Sequence, residues 1–122
     1  MNETRVEIVV RFQVEGFHCW PEAPEQRRYL ASQHRHLFFV EARIPVLHED
    51  REVEFHDLLD FCKRRFPTGD LGTRSCEHMA AALAGAIKNR YQRNASVAVF
   101  EDNEVGAVVY SAYSPLGPAD NR

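Results

Sequence analysis

The feature of this chain that most constrains its fold is a change in the spacing of its apolar residues. Residues 5–14 alternate polar and apolar side chains over much of their length, as a half-buried strand does, and residues 34–46 form a second strand-like segment. From about Val53 the apolar residues recur every three or four positions, which is the period of a helix with one buried face. Strand-like segments return at 95–100 and 105–113. The sequence therefore predicts the order strand, strand, helix, helix, strand, strand.

The two predicted helices carry recognisable signals at their ends. The first covers residues 54–65 and ends before Pro67, because the residue that precedes a proline disfavours helical backbone. Residues 68–72 contain two glycines and break the chain. Ser75 is a good N-cap for the second helix, which continues to Tyr91. The helical region therefore consists of two separate helices.

This order predicts an α+β domain, in which a four-stranded antiparallel sheet is covered by two helices on one face. A chain of 122 residues with 44% hydrophobic residues fits one domain, which we place at 1–114, with a flexible tail at 115–122. Several of the strands carry apolar side chains on both faces. We therefore expect the open face of the sheet to pack against another subunit of a homo-oligomer.

Composition excludes some classes of partner. The net charge is -3 and the basic residues are scattered among acids, so we expect no nucleic-acid partner. No segment approaches the roughly 20 apolar residues of a membrane span, so we expect no membrane partner. The three cysteines are an odd number at wide spacing, which argues against a disulfide framework and favours a reducing compartment. The predicted location is the cytoplasm.

The tripeptide His34-Arg35-His36 suggests a metal site at the start of the second strand. Residues two apart in a strand project from the same face, so the two imidazoles can converge on one ion. Imidazole nitrogen is a preferred ligand of zinc, and Zn²⁺ is therefore the first hypothesis. The alternative is that both are ordinary histidines on a polar face.

Several segments together resemble a known family. They are, in chain order, His34-Arg35-His36 with the apolar run Leu37-Phe38-Phe39-Val40-Glu41-Ala42, then Val53-Glu54-Phe55-His56-Asp57-Leu58, Ser75-Cys76-Glu77-His78 and Val97-Ala98-Val99-Phe100-Glu101-Asp102-Asn103. Over roughly residues 5–113 the chain resembles the tunnelling-fold enzymes of the 6-pyruvoyltetrahydropterin synthase and 6-carboxytetrahydropterin synthase type. The resemblance implies a tunnelling fold, a dihydropterin or purine-like ligand, and a link to pterin or queuosine biosynthesis.

The resemblance also implies a third zinc ligand. His18, at the end of the first strand, lies where the family places a histidine beside the pair His34 and His36. Three protein ligands with an open fourth position are the catalytic pattern of zinc. In the family this ion holds side-chain oxygens of the dihydropterin and acidifies the adjacent carbon-bound hydrogens. Family sites lie between subunits, which again implies an oligomer.

Three further residues match positions that hold the pterin ring in the family. Glu101 corresponds to the glutamate that anchors the ring, since a carboxylate can accept two neighbouring N–H groups of a pterin or guanine edge. Ser75 and Cys76 match positions that contact the same ring. The alternatives are a solvated charge for Glu101 and an N-cap role alone for Ser75.

The catalytic base is the point at which the resemblance fails. The family's catalytic cysteine lies four residues before the histidine pair, and Leu30 occupies that position here. Asp70-Leu71 is the nearest remnant of a Leu-Asp-His motif that assists the cysteine. Cys19 and Asp70 are weak candidates for a substitute, so the catalytic residues stay unknown. Two hypotheses follow: a divergent zinc-dependent carbon-oxygen lyase, or an inactive binding or structural subunit that keeps the pocket.

Overall fold

A five-stranded sheet backed by two α-helices forms the chain in the computed structural model, which describes residues 4–115. The elements are, in chain order, β1 (Val6–His18), a 3₁₀ helix (Glu25–Leu30), β2 (His34–Val46), α1 (Phe55–Arg65), β3 (Gly69–Asp70), α2 (Cys76–Tyr91), β4 (Ala95–Glu101) and β5 (Val105–Ser111). The strands are ordered β3-β1-β2-β4-β5 across the sheet. The predicted α+β class is confirmed. The predicted tail lies almost entirely outside the described residues.

The prediction of a four-stranded antiparallel sheet with the order ββααββ is wrong. A fifth strand, β3, lies between the two helices in the sequence and at the edge of the sheet in space. It pairs in parallel with the end of β1, and the sheet is therefore mixed. Two backbone hydrogen bonds extend this attachment: Leu71 N donates to Phe17 O at 2.7 Å and Cys19 N donates to Gly72 O at 2.9 Å. Gly69 and Gly72 both have positive φ, which lets so short a strand enter and leave the sheet edge. Two residues are too few for an alternating pattern.

Strand β1 ends four residues later than the predicted segment 5–14. Its antiparallel pairing with β2 continues in register from Val6 opposite Val46 to His18 opposite His34. Gly16 does not end the strand; a Cβ at that position would lie 2.5 Å from Leu71 Cδ1. The glycine therefore makes room for a buried leucine, and the longer strand carries His18 to the candidate metal site.

The core lies between the inner face of the sheet and the two helices. Alternate residues of β1, β2 and β4 point into it, as the period of two requires. Its largest fully buried side chains include Phe38, Ile44, Leu58, Leu71, Met79 and Ile87. The outer face is mixed: it bears ion pairs among Arg11, Glu41 and Arg43, and exposed apolar side chains such as Val9 and Val108.

Both helices begin at residues that cap them. Glu54 accepts hydrogen bonds from the backbone N–H groups of His56 and Asp57 at the start of α1. Ser75 Oγ accepts from His78 N at 3.1 Å, which confirms the predicted N-cap of α2. Neither these helices nor any other within residues 4–115 has the length and apolar character needed to cross a membrane.

Candidate metal centre and its pocket

The three histidines of the predicted metal site come together at one end of the inner face. His18 and His34 are paired residues of β1 and β2, and His36 lies two residues farther along β2 on the same face. One possible ligand atom from each of the three lies within 4.8 Å of the others. The strand register therefore builds a three-histidine cluster that can hold a metal ion.

The Nδ1 atom of each imidazole makes a hydrogen bond to an oxygen that can only act as an acceptor. These contacts join His18 Nδ1 to Arg74 O at 2.8 Å, His34 Nδ1 to Ser32 O at 2.9 Å, and His36 Nδ1 to Asp102 Oδ2 at 2.7 Å. Since a carbonyl or carboxylate oxygen needs a donor, Nδ1 must carry a proton in all three rings. In the neutral rings the lone pairs are then at Nε2, the atom that binds a metal.

The inner nitrogens lack partners within the described part of the chain. Nε2 of His18 and Nε2 of His36 are buried and make no hydrogen bond there. His18 as a whole is only 7% exposed. An unpaired buried polar atom costs about 1–3 kcal/mol, whereas a cation between the rings would satisfy both nitrogens at once. The donor set thus fits a metal ion that accepts nitrogen ligands.

Glu101, the last residue of β4, brings a carboxylate to the same place. Its Oε2 lies 3.4 Å from His18 Nε2, and its Oε1 lies 3.6 Å from His36 Nε2. The Cys76 thiol donates a weak hydrogen bond to Glu101 Oε2 at 3.9 Å. Burial, together with the charge of Glu101, raises the pKa of Cys76 to about 12. Cys76 therefore stays a neutral thiol near neutral pH.

A cavity of about 390 Å³ opens beside this cluster. Its volume falls within the range of small-molecule sites. The wall contains most of the site residues that the sequence suggested, namely His18, His34, Ser75, Cys76 and Glu101. Two of the three clustered histidines thus line the same pocket as the proposed ring-contacting residues, whereas His36 does not line it.

The catalytic candidates lie in different places. Cys19 lines the pocket, and so does Leu30 at the end of the 3₁₀ helix. His18, the residue before Cys19 and the last residue of β1, also lines the pocket. Asp70 Oδ1 instead accepts a hydrogen bond from Gly72 N at 2.9 Å within the β3 turn. Of the two proposed substitutes for the base, Cys19 is the one in the pocket wall.

Asp102 is a residue of the site that sequence reasoning missed. It lies in the turn after β4, where its carboxylate accepts hydrogen bonds from His36 Nδ1 and from Leu37 N. These bonds lower the pKa of Asp102, and the bond from His36 contributes most. The sequence did place an acid next to Glu101, but only the pairing of β2 with β4 brings it to His36.

Neither a scan against protein-family models nor a search of curated proteins finds a match to this chain. What the chain does is therefore inferred from the pocket and from the motifs in the sequence.

Proposed function

We propose that the chain is a divergent zinc-binding relative of the 6-pyruvoyl- and 6-carboxytetrahydropterin synthases that acts on or binds a dihydropterin or purine-like ligand. The observation that carries this proposal is that three histidines converge beside a pocket large enough for a small molecule. Hydrogen bonds at Nδ1 fix the tautomer of each of these histidines. The order of the motifs along the sequence, which is the order of the corresponding motifs in that family, supports the proposed relationship. The proposed function involves neither a membrane nor a nucleic-acid partner.

Zinc is the metal that best suits these ligands. Three neutral imidazole nitrogens are a zinc donor set, whereas calcium and magnesium prefer oxygen ligands. When bound, the ion supplies Lewis acidity towards an oxygen of the ligand. His18, His34 and His36 would hold it, and their outer hydrogen bonds keep the rings in the orientation that binding needs.

The rest of the pocket suits a flat heterocycle with polar edges. Trp20 lines the wall and is about half exposed, so its ring offers a surface on which a planar ligand can stack. Glu101 offers two acceptor oxygens for adjacent N–H groups, and Ser75 and Cys76 lie in the same wall. These features support a pterin or purine-like ligand.

An inactive binding or structural subunit is the second candidate function. It is favoured by Leu30, because an alkyl side chain lines the pocket where the related enzymes have their base. Cys76 is a weak candidate for that base, because burial and the neighbouring charge of Glu101 raise its pKa to about 12. The lyase hypothesis therefore depends on Cys19 or on a group that the pocket does not itself identify.

We further propose a symmetric homo-oligomer with sites between subunits. The exposed apolar side chains of the outer sheet face, among them Val9, Val108 and Tyr110, support this proposal. Light scattering on the purified chain should give a mass that is a small multiple of 14.1 kDa. A strictly monomeric mass would contradict it.

The deciding experiment measures metal and turnover on the same preparations. Elemental analysis should find about one zinc per chain in the wild type and none when His34 and His36 are both changed to Ala. His56→Ala, at an exposed position outside the pocket, is the matched control. Dihydroneopterin triphosphate is then added to the zinc-loaded protein, with binding followed by calorimetry and turnover by absorbance and mass. Turnover supports the lyase, binding without turnover supports the subunit, and a metal-free wild type overturns the proposal.

A further inference from the structure

We propose that Glu101 is a fourth protein ligand of the metal, so that the ligand-free protein holds a closed site of three histidines and one glutamate. This inference rests on the metal site of the proposed function. It gives Glu101 a role that differs from the ring anchor expected from the resemblance.

The spacing of the polar atoms supports this role. Around a tetrahedral zinc ion with bonds of about 2.0–2.1 Å, neighbouring ligand atoms are about 3.3 Å apart. Glu101 Oε2 is 3.4 Å from His18 Nε2, and Glu101 Oε1 is 3.6 Å from His36 Nε2. One carboxylate oxygen therefore lies near this separation from each of the two nitrogens. The ligand atoms that all lie within 4.8 Å of one another belong to the three histidines, so Glu101 completes the site by moving towards the ion when the ion binds.

The charges at this point also require a cation. Nδ1 carries a proton in His18 and in His36, so in the neutral rings the lone pairs of both Nε2 atoms face the carboxylate. Lone pairs and a negative carboxylate at 3.4 Å repel each other unless a metal ion or a proton lies between them. Within residues 4–115, no lysine or arginine lies within ion-pair distance of Glu101. A single metal ion would bind both Nε2 lone pairs and balance the negative charge of Glu101.

A closed site changes how a ligand enters. An incoming oxygen would have to take the place of Glu101 beside the histidines, and the released carboxylate would then be free to accept N–H groups of the ring. A suitable ligand therefore carries both an oxygen donor and an edge with two adjacent N–H groups. The same residue would couple access to the metal with recognition of the ring.

The test uses the metal alone. Zn²⁺ affinity is measured by competition with a chromophoric chelator, and Co²⁺ is loaded as a spectroscopic probe of coordination. Glu101→Gln keeps the shape of the side chain but loses its charge, and we expect it to weaken Zn²⁺ binding at least about tenfold and to alter the visible absorption of Co²⁺. Glu77→Gln, at another acidic residue of the pocket wall, should change neither.

The outcomes separate this inference from the proposed function. Wild-type protein that binds Zn²⁺, with Glu101→Gln showing the same affinity and the same Co²⁺ spectrum, overturns the ligand role and leaves the three-histidine site intact. A wild type that binds no metal overturns both, and would assign the cation between Glu101 and the histidines to a proton. Circular dichroism with chelator present establishes that each variant is folded. Glu101→Asp, whose side chain is shorter by one methylene, is a second variant, and we expect its Zn²⁺ affinity to be intermediate.

Discussion

Asp102 Oδ2 accepts a hydrogen bond from His36 Nδ1 at 2.7 Å and so fixes the orientation of this candidate metal ligand. The same aspartate is itself held by Leu37, whose N–H donates to Asp102 Oδ1 at 3.1 Å and whose carbonyl accepts from Asp102 N at 2.7 Å. A carboxylate in this position sets the tautomer of the ring and makes the ligating nitrogen more basic. The β4–β5 turn therefore belongs to the candidate metal site.

Removing this support should weaken metal binding. We expect Asp102→Ala to lower Zn²⁺ affinity by roughly 10–100-fold, because partners of this kind orient the ligand and tune it. Asp102→Asn should lose less, since an amide oxygen can still accept from the imidazole. Chelator competition measures the effect, with Asp60→Ala on the exposed side of α1 as the control. Equal affinity in Asp102→Ala and wild type would contradict the role.

The ion pair between Glu52 and Arg93 should make stability depend on acid pH. Arg93 Nη2 donates to Glu52 Oε2 at 3.0 Å, and Arg93 Nη1 donates to the Pro45 carbonyl at 3.1 Å. The hydrogen bond from Arg93, followed by that from Leu47 N, lowers the pKa of Glu52 below its usual 4.5. A depressed carboxylate pKa contributes stability above the unfolded value, and this stability is lost as pH falls through the folded value.

We therefore expect the free energy of unfolding to fall from pH 4.5 downwards in the wild type. Glu52→Gln should lower it at neutral pH and make the acid decline shallower, because the titrating group is gone. Urea unfolding at a series of pH values measures both effects. Glu49→Gln, at an exposed residue of the same loop, is the comparison, and identical pH profiles for wild type and Glu52→Gln would contradict the prediction.

Gly106 and Gly85 should respond to alanine in opposite directions. A Cβ at Gly106 would collide with the carbonyl oxygen of Val99 and lie 2.6 Å from Phe100 Cα, both of them backbone atoms of the neighbouring strand. We expect Gly106→Ala to destabilise the fold by about 1–3 kcal/mol. A Cβ at Gly85, inside α2, meets nothing within 4 Å, so Gly85→Ala should stabilise by about 0.5–1 kcal/mol. Thermal unfolding compares the two, and a tolerated Gly106→Ala would refute the close approach.

The spacing of apolar residues predicted the helices and strands that are long enough for the spacing to repeat. The bounds of β2 match the predicted 34–46, and α1 differs from its predicted 54–65 by one residue. Strand β3 was missed because its two residues are held by backbone bonds rather than by apolar spacing. The end of β1 was placed too early because Gly16 suggests a strand end, although the glycine is there to make room for Leu71.

The candidate site was predictable only in its ligands. His34 and His36 could be paired because the strand period places them on one face, whereas His18 depended on family resemblance. The position of Asp102 behind His36 is a product of the β2–β4 register, in which Phe38 pairs with Glu101. Such a non-local register leaves no mark in neighbouring residues, so the support of the site could be seen only in the structure.

Leu30→Cys should distinguish an enzyme that lost its base from a pocket that cannot react. Leu30 lines the cavity, so the variant places a thiol in the pocket at the position that corresponds to the catalytic cysteine of the enzymes that the sequence resembles. If that thiol can act as a base, zinc-loaded Leu30→Cys should turn over dihydroneopterin triphosphate about 100-fold faster than Leu30→Ala, the lower limit for a positioned acid or base. Leu30→Ala opens the same space without a thiol and is the matched control. Equal rates in the two variants, with ligand still bound, would show that restoring the thiol is not sufficient and would favour the binding subunit.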